Sequence, residues 1–278
     1  MTRGQLPRIN ITRLLALPVP VPDPAIQRNL GSVLGRLAHA ADDAGDAATT
    51  LDSLPGAYLH RLLAEAEQDG INRWTEVRLG EVAPSIEYGV TASASDGTPE
   101  PSADSVRLVR ITDIGPTGHL KADGGVYFTH LSTEDYSRYR LSDGDLLFAR
   151  TGFSIGNTYL YRSEDGPAIF ASYLIRARID ADLLDPEYVA AYMHTPEARA
   201  MIRYASRGQG KPNLNKPRIA SLRIPVPSDD VRDRLIAQSR QCRAVAAELR
   251  RLRLLVYEAI AAVMDRAMHG DGLNARVA

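Results

Sequence analysis

Two stretches of the chain place apolar residues every seven positions, and they keep the same register. In Asp23–Gly70 one series is Ile26, Val33, Ala40, Ala47, Leu54 and its companion is Leu30, Leu37, Ala44, Leu51, Tyr58. In Ser228–His269 the series are Val231, Gln238, Val245, Leu252, Ala259 and Leu235, Cys242, Leu249, Val256, Val263, each member 205 residues after its counterpart. Five heptads of this kind predict a coiled-coil seam. A helix of about 40 residues spans about 60 Å. It cannot hide such a stripe alone, so each helix needs a partner of similar length. Asp23–Gly70 carries 8 acidic and 3 basic residues, and Ser228–His269 carries 6 acidic and 8 basic. Opposite net charge favours pairing the two with each other, antiparallel. Pro55 predicts a kink in the first helix, or a split near Leu54. Cys242, on the seam, reads as a buried, inert thiol.

The repeat begins before the helices. PRINITRLLALPVPVP (Pro7–Pro22) and PNLNKPRIASLRIPVP (Pro212–Pro227) align without a gap and share 7 of 16 residues: Pro7/Pro212, Asn10/Asn215, Arg13/Arg218, Leu17/Leu222, Pro20/Pro225, Val21/Val226 and Pro22/Pro227. Between the helices, residues 71–227 alternate short apolar runs with turn residues. Strands are expected at Thr75–Leu79, Val106–Ile111, Asp145–Ala149, Thr158–Tyr161 and Tyr173–Ala177. A helix is expected over Pro186–Arg207, capped by Asp185 with Pro186 at its first position. Val90–Ser105 is polar and rich in Gly, Pro and Ser, and reads as a flexible loop. The fold class is therefore α+β: one mixed domain rich in strands, flanked by two long helices that pair as an antiparallel coiled coil.

Composition adds little and excludes much. Hydrophobic content of 44% and charged content of 24% are those of a soluble globular protein. Arg3, Arg8 and Arg13 break the first apolar stretch, so no signal peptide is read there, and no run approaches the roughly 18 apolar residues of a membrane span. One cysteine excludes an intrachain disulfide and any Cys-based zinc site. A cytoplasmic protein is the expectation. Net charge is −1, yet Ala198–Pro227 holds seven basic residues (Arg199, Arg203, Arg207, Lys211, Lys216, Arg218, Arg223) and no acid. Such a patch is the footprint of phosphate binding, or simply a solvated face.

Motifs for catalysis are absent. The one Gly-Lys pair, Gly210-Lys211, is followed by Pro212, so there is no P-loop. Residues two before the three lysines are His119, Gln209 and Leu214, where a common metal-dependent nuclease motif needs an acid. No Pro-Pro occurs, which removes the usual base-methyltransferase motif. The six histidines have no metal-ligand spacing. GDLLFARTGFSIGNTYLY (Gly144–Tyr161) has glycines flanking a loop, but their spacing fits neither a P-loop nor a dinucleotide fingerprint. Two strands joined by a turn, with glycines that allow close approach to core or to DNA, is the plainer reading.

WTEVRLGEV (Trp74–Val82), VRLVRITDI (Val106–Ile114), LSDGDLLFARTGFSIGN (Leu141–Asn157) and KPNLNKPRIASLRIPVP (Lys211–Pro227), followed by a long helix, resemble the specificity (S) subunit of type I restriction–modification enzymes. The resemblance covers almost the whole chain. It implies a half-length form: residues 1–22 as the remnant tail of a preceding recognition domain, 23–70 as the first long helix, 71–227 as a DNA target-recognition domain, and 228–270 as the second long helix. It implies no catalysis and no cofactor of the chain's own. The expected partners are double-stranded DNA, methyltransferase subunits that carry S-adenosylmethionine, a restriction subunit, and a second S-type chain or a copy of this one. One half of a bipartite target would be read here, with the helices setting the distance between half-sites. A scaffolding adaptor that does not bind DNA is the competing class. The DNA-facing candidates are Arg203, Arg207, Gln209, Lys211, Asn213 and Lys216 on the basic segment. Arg150, Ser154 and Asn157 on the Gly-flanked loop join them, with Arg110, Thr112 and Asp113 beside them. Asn215 is expected to cap or turn the backbone, because its echo Asn10 persists without a domain.

Overall fold

The computed structural model describes residues 23–68, 74–91, 98, 101–102, 105–121, 127–207 and 212–269. In order, the elements are α1 (Pro24–Gln68), β1 (Thr75–Arg78), α2 (Leu79–Val82), β2 (Ser85–Tyr88), β3 (Val106–Val109), β4 (Phe128–Thr129), α3 (Thr133–Tyr139), β5 (Asp145–Ala149), β6 (Thr158–Leu160), β7 (Ala168–Phe170), β8 (Leu174–Arg178), α4 (Pro186–Met193), α5 (Pro196–Ser206), α6 (Lys216–Ala220), β9 (Arg223–Val226) and α7 (Asp229–His269). No helix among the described residues is long and apolar enough to cross a membrane. They fall into two compact units, Ala47–Ala247 and the helical stretches before and after it.

The larger unit is built on an antiparallel sheet in the order β2-β8-β5-β6. Every residue of β5 is buried. Its side chains alternate between two cores, as a strand covered on both faces requires. Leu146 and Phe148 face a cluster with Tyr188, Val189, Ile202 and Leu235, while Leu147 and Ala149 face Val109, Ile114 and Phe170. A second sheet, β4-β3-β7, pairs β3 with β7 in parallel, and β1 pairs with β9. The expected helix over Pro186–Arg207 is instead two helices. Asp185 caps α4 as foreseen, but Thr195 caps α5 by accepting from the Ala198 N–H, with Pro196 behind it. Proline has no N–H to give Tyr192 and its ring crowds that carbonyl, and together with the Thr195 cap this ends the first helix there.

Both long helices form, and α1 passes through Pro55 without a break in its assignment. In the larger unit Leu59 shares a core with Leu235 and Ile236, and Asp52 lies close enough to Cys242 to help raise its thiol pKa, though burial is the main cause. In the smaller unit Asp42 accepts a hydrogen bond from the Tyr257 hydroxyl at 2.7 Å, and a Cβ on Gly45 would come 3.1 Å from the Arg253 side chain. Within each unit a step up one helix is a step down the other, so the pairing is antiparallel. The seam differs from the expected one by a single residue. Leu34, Ala41 and Ala48 are covered rather than Val33, Ala40 and Ala47, and Ser239, Ala246, Arg253 and Ile260 rather than Gln238, Val245, Leu252 and Ala259. Leu37 and Tyr58 of the companion series are exposed too. Ala41, Ala48, Ser239 and Ala246 are small and buried, which suits close approach of the helix axes, while Val33, Val245 and Leu252 are left facing outward.

Charges tie the larger unit together. Glu187 of α4, 4% exposed, accepts from Ser239 Oγ at 2.7 Å and pairs with Arg243, both on α7, and with Arg162 after β6. Arg176, at the centre of β8, pairs with Glu87 and donates to the Arg140 carbonyl at 2.9 Å. His194, at the break between α4 and α5, keeps some exposure as a residue, yet its ring is pressed against Gly118, and its Cβ and backbone lie against Gly56. Burial, and then the charge of Arg199 beside it, lower its pKa from 6.5 to about 4.

Two outcomes follow. Ala246→Glu should disrupt the helix pair by several kcal/mol (~2–5) through an unpaired buried charge, whereas Val245→Glu, one residue away and 46% exposed, should change stability by less than about 0.5 kcal/mol. Urea unfolding of both variants reads the register directly. The second outcome concerns His194, which is neutral when folded but free to take a proton once unfolded. Acidification through its ordinary pKa of 6.5 should favour unfolding until its folded pKa near 4 is passed. The slope should reach at most about 1.4 kcal/mol per pH unit. In urea titrations from neutral pH down to the folded pKa, wild type should lose stability relative to His194→Gln.

Candidate nucleic-acid interface

β5 leaves the sheet at Ala149, opposite Leu174 where β8 starts, and β2 ends beside them at Tyr88. Three loops therefore meet at this end of the sheet. The Arg150 N–H donates to the Tyr173 carbonyl at 3.2 Å, the Leu214 N–H donates to the Arg150 carbonyl at 2.8 Å, and Thr151 bridges to Asn213. Arg150 Nε donates to Asn213 Oδ1 at 3.3 Å, and its guanidinium lies 4.7 Å from the centre of the Tyr88 ring. Lys216 Nζ lies 5.3 Å from the same ring. One electron-rich ring thus serves two cations that would otherwise repel. A cavity of about 410 Å³ opens between Arg150, Thr151, Ser172, Tyr173, Pro212 and Asn213. Arg150 is brought together here with Asn213 and Lys216, more than sixty residues later in the sequence. Asn215 is the N-cap of α6, accepting from the Arg218 N–H at 3.0 Å.

The β5–β6 loop is a tight, hydrogen-bonded turn. The Ile155 N–H reaches the Gly152 carbonyl at 3.3 Å, Gly156 reaches Ala149 at 3.0 Å, and Asn157 reaches Ser154 at 2.8 Å. Gly152 and Gly156 hold φ of 72° and 83°, a region closed to most side chains. Ser154 and Asn157 are half-buried, and Asn157 Nδ2 leans to the Ile114 carbonyl at 3.5 Å. Phe153, between the glycines, is fully exposed at 112%.

The third candidate group is closed on itself. Arg110 Nη2 donates to Asp113 Oδ1 at 2.8 Å, Thr112 Oγ1 donates to the same carboxylate at 3.1 Å, and the Arg110 guanidinium stacks 3.7 Å from the Tyr127 ring. Asp113 is buried and ties down the Arg110 N–H at 2.9 Å, so these three residues build a turn. On the basic segment, Arg203 and Arg207 are exposed and make no ion pair among the described residues. Arg207 borders a groove of about 740 Å³ with Tyr204, Arg218 and Arg223. Arg218 donates to the Asn213 carbonyl at 2.7 Å, Arg199 to the Pro116 carbonyl, and Arg223 pairs with Glu76 at 3.2 Å. Gln209 and Lys211 lie outside the described residues. Tyr88, Phe153, Tyr173 and Tyr204 were not singled out from sequence; only Phe153, set between two glycines in a quoted motif, carried a signal. Among the described residues no group of three His, Cys, Asp or Glu side chains could hold a metal ion.

A Cβ on Gly156 would stand 2.7 Å from a methyl of buried Ile202, whereas one on Gly152 would meet nothing within 4 Å among the described residues. Gly156→Ala should therefore cost about 2–4 kcal/mol, combining strain with overpacking, and Gly152→Ala only about 1–2 kcal/mol from strain. Urea denaturation of the two variants checks the order.

No protein-family model matches the chain. Its sequence is 29% identical over 125 residues to the type I restriction enzyme EcoKI specificity subunit of Escherichia coli (strain K12), a match covering 43% of this chain and 26% of that protein. In fold it is similar to a chain from a study of complex assembly and conformational transition of the type I R-M system, at TM-score 0.50 and 19% identity over 89% of this chain and 59% of that one. It is also similar to the type I restriction–modification S subunit from M. genitalium, at TM-score 0.50 and 14% identity over 87% of this chain and 57% of the other. The chain thus spans less than two thirds of the length of the relatives it matches. The likeness to the solved structures is one of fold, and the likeness to the curated specificity subunit is one of sequence, over 125 residues.

Proposed function

We propose that this chain is the DNA-recognition subunit of a type I restriction–modification complex. In this reading residues 71–227 are the target-recognition domain and contact one half of a bipartite site. The observation that carries it is the meeting of Arg150, Lys216 and Asn213 around Tyr88, beside an open cavity edged by Tyr173. Cations and amides on a firm base suit phosphate and base-edge contacts. Arg203 and Arg207 extend the same chemistry along α5, with Gln209 and Lys211 beyond them. Arg110, Thr112 and Asp113 act in support, through the turn they build. The chain performs no chemistry itself and holds no cofactor. Methyltransferase subunits dock on the long helices, where Leu252 and Leu255 offer outward apolar side chains. A restriction subunit joins that assembly, a second S-type chain or a copy of this one supplies the other half-site, and the complex works in the cytoplasm.

Binding to duplex DNA at varied salt tests this. Arg207→Ala and Lys211→Ala should each lower the salt slope by about one unit if they touch phosphate. Arg150→Ala with Lys216→Ala should weaken all duplexes. Affinity for a specific site should rise sharply when the methyltransferase and a second S-type chain supply another grip on the same duplex. Absence of binding in every combination would replace this reading with that of a scaffolding adaptor.

A further inference from the structure

We propose that Phe153 is an apolar wedge that inserts between two adjacent base pairs when the loop cluster engages DNA. This role rests on the DNA-binding reading above and adds to it a deforming contact that no hydrogen bond supplies.

A single apolar side chain on a surface needs no special account. Phe153 is set apart by how it is mounted. Its ring is wholly exposed, so both faces are free to be covered. It stands at the tip of the β5–β6 turn, and no described residue lies within 4 Å of a Cβ built on neighbouring Gly152 beyond its chain neighbours, so the tip is clear of the rest of the described chain. The turn beneath is fixed by the main-chain hydrogen bonds from Ile155, Gly156 and Asn157, and by one from the Ala149 N–H to the Asn157 carbonyl at 2.9 Å. Gly156 is pressed on Ile202, and the foot of the loop is tied to Asn213 and Leu214. Little backbone freedom remains to be lost on binding, which favours a contact that must push bases apart. Arg150, at that foot, and Lys216 share the Tyr88 ring, so cations are at hand for the phosphates flanking an opened step. Tyr173, also exposed, lines the cavity with Arg150 and is the less free of the two.

A ring driven into a stack unstacks one step and kinks the helix, and pyrimidine–purine steps yield most easily. The chain should therefore favour such a step at one fixed position in its half-site, without reading its base edges.

The test uses the full chain. Duplexes it retains from a random library are remade with 2-aminopurine at successive positions and with a dye pair at their ends. Wild type should raise 2-aminopurine fluorescence at one step and bring the ends closer. Phe153→Ala should abolish both effects and weaken the selected duplex about ten-fold, within the range of an aromatic–base stack. Unselected duplexes should bind as before, since that term comes from the cations. Phe153→Trp should restore the fluorescence and the bend. Circular dichroism should show all three proteins folded alike. Binding by wild type with no fluorescence change at any position overturns the wedge while leaving the DNA-binding reading intact. So does a loss of affinity on replacing one thymine by uracil without unstacking, which marks an edge contact to a methyl group. If wild type retains no duplex, either alone or with the methyltransferase and a second S-type chain, the DNA-binding reading itself fails and the wedge falls with it.

Discussion

Glu187 is a carboxylate taken out of water, and the arrangement of the larger unit hangs on satisfying it. Ser239 and Arg243 reach it from α7 and Arg162 from the loop after β6, so one side chain fixes a long helix against the sheet. Burying such a pair adds little net stability compared with apolar packing, but leaving any member alone costs a great deal. Its effect is on geometry. Of the ways α7 could lie on the core around Leu235 and Tyr188, only that which brings Ser239 and Arg243 to α4 leaves no charge stranded. Arg240 adds a more exposed pair to Asp185, the residue that caps the same helix.

From that fixed helix the order passes to the loop cluster. α4 and α5 pack under the sheet, Ile202 of α5 holds down the β5–β6 turn, and Arg218 binds the chain after α5 by its carbonyls. The residues shared between Pro7–Pro22 and Pro212–Pro227 gain a physical meaning here. In the second copy Asn215 caps a helix, Arg218 clasps carbonyls, Leu222 is buried, and the Pro225 carbonyl accepts from the buried Tyr188 hydroxyl. They are the residues that close a domain, and none of these roles is a ligand contact.

How much of this was legible depended on whether one residue or many carried the signal. The central strand β5 was plain because five consecutive buried residues lie between turn signals. β2, β4 and β7 span two to four residues and owe their form to neighbours rather than to a pattern of their own. Heptad spacing foretold both long helices, but not which face would pair. Val33 and Leu34, Ala40 and Ala41, Val245 and Ala246 are adjacent apolar choices, and only packing decides between them. In the candidate site, charge drew notice to Arg110, whose guanidinium proves to be consumed by Asp113 and Tyr127. Charge could not reveal that Arg150 and Lys216 converge, because the ring that joins them belongs to Tyr88, more than sixty residues before Arg150.

The one-residue choice of seam has a consequence for how this pair can change length over evolutionary time. Adding one residue turns everything beyond it by about 100°, which would carry Gln238 or Leu252 into the place of Ser239 or Arg253. Adding seven lengthens the helix by about 10 Å and restores the face to within about 20°. Since Ala41, Gly45 and Ala48 admit only close neighbours, a matching heptad would have to enter the opposite helix as well. Length in this pair is therefore inherited in whole heptads, two at a time.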